Sequence, residues 1–154
     1  MRAIQMAFFG TILMLGSIAA HAADPAIGTW KLNVAKSMLS GPAPTSQVRT
    51  YVDSAKGMVL TIRTTSVDGK ESTASVTFKD DGKDYPIAGN PDADTISVTR
   101  VDANTVDSTA KRGGAVVAHG VRSVSKDGKT LTFKQNGTHV GGAKFDDTSI
   151  YDRQ

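Results

Sequence analysis

Three side chains combine useful chemistry with a strand position that would let them meet a bound molecule: Arg100, His119 and Tyr151. A guanidinium donates a fork of hydrogen bonds, an imidazole donates and accepts, and a phenol does both. Successive strand residues point to opposite faces. Arg100 therefore shares a face with Ile96 and Val98, and His119 shares one with Val117 and Val121. If those faces turn inward, the three groups place a few polar contacts inside apolar surroundings. A buried Arg must find a partner, whereas one at a mouth keeps its water. Arg100 is accordingly expected near an opening, with Tyr151 and His119 deeper.

Other constellations point away from catalysis and metals. The chain has no cysteine, and past residue 22 its only histidines are His119 and His139. A zinc site would have to recruit carboxylates such as Asp146 or Asp147, and ordinary histidines are the simpler reading. Asn90, Asp92 and Asp94 begin like a calcium loop, but Thr95 stands where Gly is required and Val101 where a bidentate Glu belongs. An Asx turn accounts for them. No nucleophile elbow, phosphate loop or dinucleotide fingerprint occurs, so no cofactor and no catalytic residue is assigned. The net charge of +3 arises from interleaved lysines and aspartates. Nucleic-acid binding would need clustered basic and aromatic groups instead.

The elements that must position these groups begin after a leader. Arg2 precedes an apolar run from Ala7 to Ala20, which ends in Ala20-His21-Ala22. That is the form of a secretory signal with an A-x-A cleavage site, assigned to residues 1–22. The run is shorter than the roughly 20 residues a spanning helix needs, so no stable membrane insertion is expected once it is removed. Residues 23–154 then form one domain, placed in the periplasm or outside the cell and lacking disulfides.

From Gly28 onward short alternating strands are separated by turn signals. Asp68-Gly69-Lys70, Asp81-Gly82-Lys83, Asp127-Gly128-Lys129, Gly113-Gly114 and Asn136-Gly137 each sit between runs rich in Thr, Val and Ile, and Asp-Gly supplies the positive φ of tight hairpins. Strands are expected at 28–34, 47–54, 58–67, 71–79, 84–88, 95–102, 105–112, 115–125, 129–136 and 144–153. The fold class is all-β: an up-and-down antiparallel barrel of about 8–10 strands, the strand of Trp30 pairing with that of Ile150. Inward phases are assigned to Trp30 and Leu32; Val48 and Val52; Met58, Leu60 and Ile62; Ala74, Val76 and Phe78; Ile96 and Val98; Val106 and Ala110; and Leu131 and Phe133. Both phases of 115–125 are apolar or small, which leaves its facing open. Met38 and Leu39 either plug one barrel end or pack on its rim.

Gly28-Thr29-Trp30-Lys31-Leu32, the hairpin meander and the terminal Ile150-Tyr151-Asp152-Arg153 resemble the calycin group, meaning lipocalins and especially fatty-acid-binding proteins. Trp30 to Ser37, Asp81 to Pro86 and Gly89 to Asp94 are more closely similar to a family of exported bacterial lipocalin-like proteins without an established activity. The resemblance implies a hydrophobic ligand in the lumen. In fatty-acid-binding proteins a Tyr, and an Arg two residues before it, help hold the ligand carboxylate. Tyr151 matches the Tyr, but Ser149 stands in place of the Arg, and a short Pro-rich loop replaces the helical lid. A neutral or weakly polar ligand is the expectation that follows. The lipocalin pattern further implies that Arg153 covers Trp30.

Together these features describe an exported barrel that binds a small hydrophobic or weakly polar molecule rather than an enzyme. Alternatives are an envelope interaction module or hydrolase inhibitor on the same barrel, and an enzyme using Arg100, His119 and Tyr151. Amino-terminal sequencing of the protein from envelope fractions is expected to begin at Ala23. A start at Met1 would overturn the leader assignment.

Overall fold

The computed structural model describes residues 23–154; the expected secretory leader, residues 1–22, lies outside the described residues. Ten strands follow one another: β1 Gly28–Leu32, β2 Ser46–Ser54, β3 Gly57–Thr65, β4 Glu71–Phe78, β5 Asp81–Ala88, β6 Thr95–Arg100, β7 Thr105–Arg112, β8 Ala115–Val124, β9 Thr130–Thr138 and β10 Lys144–Arg153. Each pairs antiparallel with its neighbours in sequence, and β1 also pairs with β10, which closes the barrel. At the seam Trp30 lies opposite Arg153, and Leu32 opposite Tyr151. Closure leaves no exposed sheet edge, and every strand acquires an inside and an outside.

Two of the Asp-Gly turns form as their chemistry dictates. The carboxylates of Asp68 and Asp127 accept hydrogen bonds from the backbone N–H two residues on, and Gly69 and Gly128 take φ of 79° and 70°. Two expected turns lie elsewhere. Gly82, with φ 75°, sits inside β5 at a register shift between Asp81 and Asp84, so it forms a bulge while the chain reverses at Lys79-Asp80. Asn136-Gly137 belongs to β9, and the chain reverses at His139–Gly142. Gly137 is required for space: a Cβ there would strike the Val117 carbonyl and Ala118 on β8.

The two barrel ends differ. At the end where β1 starts, residues 23–27 fold across the opening. Ala26 and Trp30 are fully buried, and the indole Nε1 donates to the Ala26 carbonyl at 2.7 Å. Arg153 lies 4.1 Å over the Trp30 ring and donates to the Pro25 and Ile27 carbonyls, so it covers Trp30 as the lipocalin pattern implied. The other end carries the long loop after β1, with a single 3-10 turn at Val34–Lys36. Its Met38 is 71% exposed and bonds through its backbone to Thr148, while Leu39 packs against the core. Met38 is therefore on the rim and plugs nothing.

The inward phases match expectation on β1, β3, β4, β6, β7 and β9. On β2 they are reversed. Val52 is 52% exposed, and the buried side chains are those of Arg49 and Tyr51. The aliphatic residues of β2 face solvent because the lumen takes its polar and aromatic ones. Trp30→Ala is expected to cost roughly 3–5 kcal/mol in urea denaturation, since it empties the closed end. A near-neutral change would mean that the closed end does not depend on the indole.

Candidate functional site

Inside the barrel lies a cavity of about 180 Å³. One wall is aliphatic, built from Leu60, Ile62 and Val76 on β3 and β4 and from Ile96 and Val98 on β6. The facing wall is made of small residues: Ser108 and Ala110 on β7, and Ala118 and Gly120 on β8. Their size creates the space, because larger residues at these inward positions would fill the lumen. Gly120 also admits a neighbour, since a Cβ there would come within 2.7 Å of the Phe133 ring. Asn90, on the loop after β5, borders the cavity at the end opposite the N-terminal segment.

Two arginines reach this apolar space. Arg122 on β8 is 3% exposed, and its Nη2 pairs with the Asp24 carboxylate at 3.0 and 3.2 Å. Arg49 on β2 is 7% exposed and lies over two rings, 4.4 Å from the centroid of Phe133 and 5.0 Å from that of Tyr151. Among the described residues Arg49 makes no ion pair and its Nε has no hydrogen-bond partner. Burial works against its charge, but the Tyr151 and Tyr51 phenols beside it outweigh that effect and hold its proton more firmly than usual. It is a cation in every accessible pH range.

The three residues singled out from the sequence do not converge. Tyr151 is fully buried and faces inward, but its hydroxyl donates to Gln47 Oε1, and Gln47 in turn donates to Thr64 at 3.1 Å. It lies behind Arg49 rather than on the cavity surface. His119 borders the wall between Ala118 and Gly120, yet its side chain is exposed and meets Thr109 Oγ1 at 3.3 Å on the outer face. The inward phase of β8 is that of Ala118, Gly120 and Arg122, so the lumen placement of the imidazole is corrected. Arg100 keeps the phase of Ile96 and Val98 but sits beyond them at the closed end, bound to Asp80 and to Asp24 at 2.6 Å. It does not line that cavity but borders, with Asp24 and Asp80, a separate hollow at this end.

The polar groups that do reach the lumen, Arg49 and Arg122, were missed. For Arg49 a signal was present: Gln47, Arg49 and Tyr51 share one phase of β2. An arginine in mid-strand, far from any turn, is positioned to be enclosed. For Arg122 the apolar character of both phases of β8 hid the facing.

A scan of protein-family models and a search of curated proteins find no match to this chain. Two solved structures are similar to it. Rv2717c from M. tuberculosis superimposes with a TM-score of 0.50 at 16% identity, covering 84% of this chain and 93% of that one. Zebrafish ileal bile acid-binding protein, solved with cholic acid, gives a TM-score of 0.49 at 11% identity, covering 84% and 99%. The fold shared with Rv2717c is an antiparallel β-barrel. At such identities the likeness is one of architecture alone, and neither structure bears on the closer resemblance to exported bacterial lipocalin-like proteins.

In this barrel the segment before β1 supplies Asp24, which serves both Arg122 and Arg100. Burial raises the Asp24 pKa, but the neighbouring Arg122, the Ala26 N–H and Arg100 outweigh it and hold the carboxyl below the usual carboxylate range. A depressed carboxylate contributes stability above its unfolded pKa and loses it as pH falls through the folded one. Asp24→Asn is therefore expected to cost about 3–5 kcal/mol near neutrality, because Arg122 is left buried and unpaired. The gap between wild type and variant should narrow in strong acid. A constant gap in urea melts across pH would refute the ion-pair account.

Proposed function

We propose that this protein is an exported binding barrel that takes one small, largely apolar molecule into its lumen. The cavity carries this reading. Water-accessible space of about 180 Å³ walled by Leu, Ile, Val and Ala side chains costs stability when empty and suits an apolar guest. Few convergent polar groups in an apolar pocket are the usual make-up of a small-molecule site. Export rests on the leader pattern at residues 1–22.

An interaction module would instead use the loop end, where Met38, Val67 and Val140 are 71%, 70% and 63% exposed. Binding measurements separate the two readings. The neutral dye N-phenyl-1-naphthylamine is expected to bind mature wild type saturably, with enhanced fluorescence. Ala110→Leu, which fills the cavity, should weaken binding about tenfold or more with an unchanged or raised melting temperature. Absence of saturable binding by folded wild type, or full binding by the filled variant, would overturn the lumen reading.

A further inference from the structure

Both arginines that reach the lumen leave a buried Nε without a hydrogen-bond partner, and they differ in their counter-ions. Arg122 has its counter-ion built in, because Asp24 on the N-terminal segment lies 3.0 Å away. Arg49 has none. The residues lining the cavity include Asn90, Ser108 and Gln135 but no Asp or Glu. The Phe133 and Tyr151 rings attract the guanidinium through their faces, but a ring face is no acceptor for an in-plane N–H, and Nε has no hydrogen-bond partner. The Tyr51 and Tyr151 hydroxyls beside it can accept from the guanidinium but bring no carboxylate charge. Arg49 thus remains a 93%-buried cation, 7% exposed, with an unpaired Nε beside an apolar space. Isolated charge in such surroundings is costly, and a hydrogen-bonded anion removes the cost.

We propose that Arg49 is the subsite for a singly charged carboxylate on an otherwise apolar ligand. The proposal rests on the lumen reading above and names the class of molecule that fills it. The planar guanidinium presents parallel N–H donors that fit the two oxygens of a carboxylate, and the aliphatic wall of Leu60, Ile62 and Val76 receives the apolar body. The charge is single because the other inward or end-capping arginines already have a carboxylate or backbone acceptors beside them. Arg122 and Arg100 share Asp24, Arg100 also holds Asp80, and Arg153 donates to backbone carbonyls. Ser149 offers no charge, which pointed the sequence toward a neutral or weakly polar ligand; Arg49 supplies that charge from a different strand.

The test is competition of octanoate, octan-1-ol and octylammonium against bound N-phenyl-1-naphthylamine, in mature wild type, Arg49→Met and Arg49→Lys. Wild type is expected to bind octanoate about tenfold or more tightly than octanol, with octylammonium weakest. Arg49→Met should bind octanol as wild type does and lose the advantage of octanoate. Its melting temperature should be no lower than that of ligand-free wild type, because an unpaired buried charge has been removed. Arg49→Lys keeps a charge without the fork and should show a reduced octanoate preference, which tests the proposal even if the Met variant fails to fold. Equal affinity of wild type for octanoate and octanol, or an unchanged preference in the variants, overturns the anion subsite while leaving the lumen reading intact. Displacement by none of the three, with the dye bound saturably, also overturns it. Failure of the dye itself to bind overturns the lumen reading.

Discussion

Closure of the sheet between β1 and β10 is the constraint on which the remaining structure depends. Once Trp30 stands opposite Arg153 and Leu32 opposite Tyr151, no strand has a free edge, and each residue is committed to lumen or solvent. The contacts that guard the seam come from its own ends. Arg153 stacks on Trp30 and binds the carbonyls of Pro25 and Ile27, while the indole binds Ala26. Closure and the covering of one barrel end are therefore a single packing event. The N-terminal segment participates in the core even though it belongs to no strand.

That segment also settles the charge balance of the interior. A barrel of this size has few ways to keep arginines inside, because each must be paired or hydrated. Asp24 enters from the closed end and neutralises Arg122 and, with Asp80, Arg100. Arg49 lies outside this arrangement and is held by aromatic faces instead. The lumen is thus apolar by area and cationic by charge. Its open volume faces the small residues of β7 and β8, so shape and charge come from different strands.

The loop end is tied by hydrogen bonds between elements distant in sequence. The Asp92 carboxylate accepts from His139 Nδ1 and the Val140 N–H, each at 2.8 Å, and Asp94 accepts from the Gly113 N–H. Asn90 Oδ1 accepts from the Asp92 N–H, which is the Asx turn expected there. The carboxylates that imitate a calcium loop are engaged as caps for neighbouring turns.

Strand number, antiparallel order, the pairing of first with last strand and most inward faces follow from the sequence itself. Period-two alternation and Asp-Gly chemistry are local properties, set by backbone geometry and side-chain direction. Gly82 and Gly137 mark where local reading stops: a bulge and a close strand approach use the same residue as a hairpin, and only the neighbouring strand tells them apart. The facing of β8 was likewise beyond it, and on β2 the shared phase of Gln47, Arg49 and Tyr51 was outweighed, since polar residues count against burial until a ring face or a distant carboxylate makes burial possible. Of the site, the sequence determined an apolar container with Tyr151 inside. The tertiary structure decided that His119 faces out, that Arg100 belongs to the closed end and that Arg49 faces the lumen, because pairing of charges depends on contacts between segments far apart in the chain.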